Sequence, residues 1–145
     1  MLRQLRGGVT LALLLAVLLT GVARAQDFPR PTGFVNDFAG LLSPQGKAQL
    51  ENRLVRLERE TSAEVSVVTI ISLKDDNIED YAAALFKEWG IGKKDKDNGV
   101  LFIVALTERK TRIEVGYGLE AVLTDGRAGR ILDNKVLPNF REGDY

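Results

Sequence analysis

The sequence predicts an α/β fold built on a small mixed sheet, and three neighbouring features predict it. Residues 64–71 (Glu-Val-Ser-Val-Val-Thr-Ile-Ile) are rich in β-branched side chains and turn apolar on both faces in their second half, as a covered interior strand does. Ile78, Tyr81, Ala82, Leu85, Phe86 and Trp89 then recur at helical spacing. Residues 100–106 form a short continuous apolar run, the mark of a second buried strand. Strand, helix and strand in that order make a β-α-β unit, normally a right-handed crossover. The alternating segment Thr111-Arg112-Ile113-Glu114-Val115 follows after the polar turn 107–110, so a hairpin adds an antiparallel strand and the sheet is mixed.

The other elements follow in chain order. Arg3 and Arg6, the apolar stretch 9–22 and the small-x-small triplet Ala23-Arg24-Ala25 have the layout of an export signal cleaved before Gln26. The alternative is a retained anchor, but the apolar run is shorter than the roughly 20 residues a membrane helix needs. The expected organisation is a signal peptide over residues 1–25, an extended lead-in over 26–33 containing Pro29 and Pro31, and one domain over 34–145. Residues 34–42 are apolar but aperiodic and are expected to dock on the domain ahead of a helix. Ser43-Pro44 starts that helix, with serine at the N-cap and proline in the first turn. Leu50, Leu54 and Leu57 mark its apolar side, and it is expected to end near Thr61-Ser62. Asp75-Asp76-Asn77 supplies a cap for the helix at Ile78, and Gly90 stops it. A third helix fits residues 125–135, with Pro138 expected to bar its extension.

Composition narrows the chemistry. Lys plus Arg and Asp plus Glu each number 20, and there is neither histidine nor cysteine. Loss of Arg3, Arg6 and Arg24 with a leader leaves the remainder acidic by three charges, which is no footprint for nucleic acid. Without histidine or cysteine there is no Ser-His-Asp triad, thiolate nucleophile or zinc site of the usual kind. Any metal must be held by oxygen, which favours calcium, magnesium or manganese.

One constellation fits a hard cation. If Ala105 opposes Lys110, then Gly99 opposes Gly116, and Asp97-Asn98-Gly99 lies beside Gly116-Tyr117-Gly118-Leu119-Glu120. Asp97 and Glu120 are then candidate ligands at one end of the sheet, with Asn98, Gly99, Gly116, Tyr117 and Gly118 as the supporting loop. The same residues also satisfy ordinary turn rules, so a turn without a ligand stays open beside the ligand site. Other motifs fail on spacing. Residues 95–99 resemble the start of an EF-hand, but the glycine is one place early and position twelve is Leu106. Gly90-Ile91-Gly92-Lys93-Lys94 is not a phosphate loop, and Gly116-Tyr117-Gly118 lacks the third glycine of a dinucleotide fingerprint.

Val35-Asn36-Asp37, Trp89-Gly90-Ile91-Gly92, Asp97-Asn98-Gly99-Val100-Leu101, Ile113-Glu114-Val115-Gly116-Tyr117-Gly118-Leu119-Glu120 and Phe140-Arg141-Glu142-Gly143-Asp144-Tyr145 together resemble the TPM domain. That family includes exported bacterial proteins of YgcG type and thylakoid-lumen proteins of photosystem II repair. The resemblance covers residues 34–145 and implies a Rossmann-like three-layer α/β/α sandwich with helices on both faces of a small sheet. It also implies a divalent cation, calcium or magnesium, at an acidic cluster for which Asp37, Asp97, Glu114, Glu120 and Asp144 are the matching positions. The expected role is an exported, non-enzymatic module of the periplasm or cell envelope that supports assembly or maintenance of membrane protein complexes. The alternative is a weak, metal-assisted phosphomonoester hydrolase. Family domains continue past Gly-Asp-Tyr into a further helix, often followed by a membrane span. This domain is therefore expected to lack its last helix, and membrane attachment through a region after Tyr145 is an expectation of the same kind.

Overall fold

The computed structural model describes residues 26–145, and the leader expected at residues 1–25 lies outside them. Four strands form one sheet in sequence order: β1 (Val35–Asp37), β2 (Glu64–Ile70), β3 (Gly99–Ala105) and β4 (Lys110–Val115). β1, β2 and β3 run parallel, and β4 returns antiparallel to β3. The sheet is therefore mixed, and the hairpin has the expected register, with Ala105 opposite Lys110 and Val100 opposite Val115.

Two helices connect the parallel strands. α1 (Pro44–Thr61) is capped by the Ser43 hydroxyl, which accepts from the Gly46 amide. Ser62, in the left-handed conformation, ends it. α2 (Ile78–Trp89) is capped by Asn77, whose side chain accepts from the Asp80 amide, and Gly90 ends it at φ +61°. α2 packs Ile78, Tyr81, Ala82 and Leu85 against Val68, Ile70, Leu101, Ile103 and Ala105, which share one face of the sheet. Leu85, Leu101 and Ile103 are fully sealed there. Leu50 of α1 instead lines the opposite face with Val67, Thr69, Phe102 and Val104. Both connections step the same way across the sheet but pass over opposite faces. They must therefore differ in hand, and only one of them follows the right-handed rule expected for the β-α-β unit.

Three sequence expectations are corrected. Residues 35–37 form an edge strand rather than part of an irregular docking segment, so the strand at Glu64 is the second. Three residues are too few to show a period, and the pairing comes from β2. The strand at Glu64 also ends at Ile70, leaving Ile71 62% exposed. Finally, Pro138 does not stop the last helix. The chain runs through α3 (Asp125–Ile131), a π-helical stretch (Leu132–Val136) and α4 (Leu137–Arg141). The wider π turn lets the Leu137 amide reach back to the Leu132 carbonyl, and Pro138 falls in the first turn of α4, where a missing N–H costs little.

Helices thus cover both faces of the sheet, in three layers. The face under α1 is the looser one: no residue of α1 is buried, and a groove of about 390 Å³ runs between α1 and the carboxyl-terminal helical segment. The lead-in lies along α2, where Phe28 meets Tyr81 edge-on at 5.1 Å and the Pro29 carbonyl accepts from the Trp89 indole at 3.0 Å. No described helix is long and apolar enough to cross a membrane.

Candidate functional site

One glycine-bearing turn enters the amino end of β3 and the other leaves the carboxyl end of its antiparallel partner β4, so both lie at one end of the sheet. The Gly116 amide donates to the Gly99 carbonyl at 2.8 Å, and the Gly118 amide donates to the Asp97 carbonyl at 3.0 Å. The hairpin register therefore brings segments 97–99 and 116–120 together as expected. Asp97 and Glu120 are both exposed at this end, and Asp97 adopts a left-handed φ of 46°. Tyr117 projects into solvent at 80% exposure.

Most of the supporting loop serves the backbone. Asn98 is only 6% exposed and its side chain makes three hydrogen bonds. Its Oδ1 accepts from the Lys93 amide at 2.9 Å, and its Nδ2 donates to the Ser62 carbonyl and hydroxyl at 2.8 and 3.2 Å. Asn98 thus ties the end of α1 to the turn entering β3. A Cβ on Gly116 would come within 2.2 Å of the Asp97 carbonyl oxygen, and one on Gly118 within 1.8 Å of the Lys96 carbonyl oxygen. These two glycines are required by backbone crossing backbone.

Asp37 lies at the other end of the sheet. The register sets it level with Thr69 and Val104, whereas Gly99 is level with Glu64. About five strand residues at about 3.3 Å each separate the two ends by about 16 Å. Each Asp37 oxygen is engaged: the carboxylate accepts from the Leu41 and Leu42 amides, both at 2.9 Å, and from the Thr69 hydroxyl. Asp144 sits nearby, lining the groove that Leu41, Leu42 and Thr69 also line. Glu114 lies two residues before Gly116 on β4, near the Asp97 end, but its carboxylate is taken by Arg112 at 2.8 Å. The five candidate carboxylates therefore divide into Asp97 with Glu120, Asp37 with Asp144, and Glu114 apart. Among the described residues, no three acidic side chains converge as a ligand set.

Partial burial of Asp37 pushes its pKa up, but the Thr69 hydroxyl, the Leu42 and Leu41 amides and the Lys47 charge outweigh burial and hold it below the ordinary value. A depressed folded pKa stabilises the protein above the unfolded pKa, and this contribution is lost as pH falls through the folded value. Asp37→Asn is accordingly expected to cost about 2 kcal/mol at neutral pH, because an amide nitrogen replaces one acceptor facing backbone donors. The difference from wild type should shrink below the usual carboxylate range, which urea unfolding across pH measures.

Sequence reasoning missed two other carboxylates that shape the chain. Glu51 accepts from the Phe34 and Val35 amides at 2.9 and 2.7 Å, closing the outer edge of β1. Glu108 accepts from the Ser72 hydroxyl at 2.7 Å and the Leu73 amide at 3.0 Å, while its other oxygen is buried without a partner. The Ser72 hydrogen bond is the main cause of its lowered pKa. Neither carries a sequence signal, because each acts on a backbone segment 16 or more residues away.

The model of the TPM domain matches residues 35–145. The chain belongs to the TPM domain family. That match contains all five candidate carboxylates. Among solved structures, this TPM domain is similar to the N-terminal domain of a protein from P. gingivalis, at 38% identity and a TM-score of 0.73 over 79% of this chain and 73% of that one. The N-terminal domain of cg2496 from Corynebacterium glutamicum is 17% identical, with a TM-score of 0.60 over 82% of this chain and 74% of that one, a likeness of fold. No curated protein matches the chain.

Proposed function

We propose that this TPM domain is an exported, non-enzymatic binding module that responds to calcium or magnesium through Asp97 and Glu120. In the cell envelope it supports the assembly or maintenance of membrane protein complexes. The observation that carries the reading is the pairing of the two turns, in which Gly118 donates to the Asp97 carbonyl and holds Asp97 and Glu120 at one exposed end of the sheet. Two exposed carboxylates fit a hard cation only if water completes its shell. The site is therefore weak, in the millimolar class of extracellular calcium modules. Asp37 is excluded from it, because its oxygens already serve the Leu41 and Leu42 amides at the other end of the sheet.

A titration of the amide resonances with calcium or magnesium chloride tests the reading. Segments 97–99 and 116–120 should shift, the Asp37–Leu42 loop should not, and Asp97→Asn should abolish the response. Silent resonances in both turns, or shifts that persist in Asp97→Asn, overturn it. Hydrolysis of a chromogenic phosphate that disappears in Asp97→Asn would favour the phosphatase alternative.

A further inference from the structure

The two edges of the sheet are treated differently. At β1 the Glu51 carboxylate takes the amides of Phe34 and Val35. At β4 nothing comparable exists among the described residues. The hairpin register turns Lys110, Arg112, Glu114 and Gly116 inward to β3, so the backbone groups of Thr111, Ile113 and Val115 face outward. None of those outward groups takes part in a hydrogen bond among the described residues. β4 is six residues long and contains no proline. Natural sheets guard such an edge with a bulge, a proline, a covering element or charged side chains, and of these β4 carries only the charges of Lys110, Arg112 and Glu114.

The side chains along this edge suit a copy of themselves. Arg112 and Glu114 flank Ile113 symmetrically and occupy the same face of the sheet. In an antiparallel arrangement centred on Ile113, Thr111 lies opposite Val115 of the second copy. Arg112 then lies opposite Glu114 of the second copy, and the same pair forms again across the axis. Opposite charges thus meet at both positions, in the non-hydrogen-bonded register where cross-strand side chains come closest. Above the edge, α2 packs against β4. Its Tyr81 and Trp89 turn toward the lead-in, through Phe28 and Pro29, while Glu79 and Ala83 remain exposed.

We propose that the β4 edge is a self-association surface. Two copies pair β4 to β4, antiparallel, about a two-fold axis through Ile113, and join their sheets into one continuous sheet. The Arg112–Glu114 ion pair, which closes within one strand at 2.8 Å in the single chain, re-forms between the two copies.

Sedimentation equilibrium of the purified protein from micromolar to millimolar concentration tests this, together with amide hydrogen exchange at both ends of the range. The mass should rise toward that of a dimer, and protection at Thr111, Ile113 and Val115 should rise with it. Arg112→Glu places like charges opposite each other and should weaken association about tenfold or more; Arg112→Glu combined with Glu114→Arg should restore it. A mass that stays monomeric throughout overturns the proposal. So does association that leaves those three amides exchanging as in dilute protein, or association unaffected by Arg112→Glu. If Arg112→Glu does not fold, the concentration dependence of exchange in the wild-type protein decides alone.

Discussion

Gly116→Ala should destabilise the domain by about 3 kcal/mol or more, the upper part of the range for overpacking a site that cannot relax. The cost is not conformational, since Gly116 has φ −67° and ψ 148°, which alanine adopts freely. The cause is the Asp97 carbonyl, whose oxygen and carbon lie 2.2 and 2.9 Å from where the new methyl must go. The Gly99 amide nitrogen stands at 3.2 Å on another side. All three atoms are backbone, and moving them means breaking the Gly116–Gly99 and Gly118–Asp97 hydrogen bonds that hold the two turns together. A surface glycine provides the contrast. Gly129, inside α3, has nothing within 4 Å of its would-be Cβ, so Gly129→Ala should stabilise by up to about 1 kcal/mol through helix propensity. Urea unfolding of both variants reads the opposite signs directly.

That contrast explains which parts of this molecule were legible in its sequence. Local rules set the helix ends, and Ser43, Asn77 and Gly90 act where capping chemistry places them. The hairpin register followed from a short polar turn between two strands, and it brought Asp97 and Glu120 to one end of the sheet. Nothing local could mark residues 35–37 as a strand, because β2 supplies the pairing and Glu51 closes the outer side. Nor could local rules show that a π turn would carry the chain past Pro138. The acidic set illustrates the same limit. Residues sharing a family pattern need not share a place, and Asp37 and Asp97 fall at opposite ends of the parallel strands because the strands between them fix their separation. Asn36 makes the point for polar residues. It is 1% exposed and holds the lead-in through the Thr32 amide and the Gly33 carbonyl, so its presence in a recurrent motif reflects architecture.

Asn98→Asp separates architecture from metal binding at the candidate site, and the expected loss is about 3 kcal/mol at neutral pH, as for a buried charge without its partner. The substitution is isosteric and adds a carboxylate to the very loop that carries Asp97. If cation binding governed this position, the variant would bind calcium more tightly and gain stability from it. The hydrogen bonds argue the other way. Aspartate retains the acceptor for the Lys93 amide but replaces Nδ2, the donor to the Ser62 carbonyl and hydroxyl, with an anionic oxygen facing a carbonyl oxygen. At 6% exposure, water cannot relieve that repulsion. Burial and the facing carbonyl both raise the folded pKa of the new carboxyl above its unfolded value. With that sign, its favourable contribution is present below the unfolded pKa and lost as pH rises through the folded one. Once protonated, the new carboxyl can again donate to Ser62, so the deficit against wild type should narrow as pH falls. Asp37→Asn also draws nearer to wild type in acid, but there the wild-type protein loses stability, whereas here the variant regains it. Urea unfolding across pH, with and without calcium, distinguishes a brace from a ligand. A calcium-dependent gain in Asn98→Asp would identify the loop as a binding element, whereas recovery by acid alone would identify Asn98 as the strut that holds α1 to the sheet.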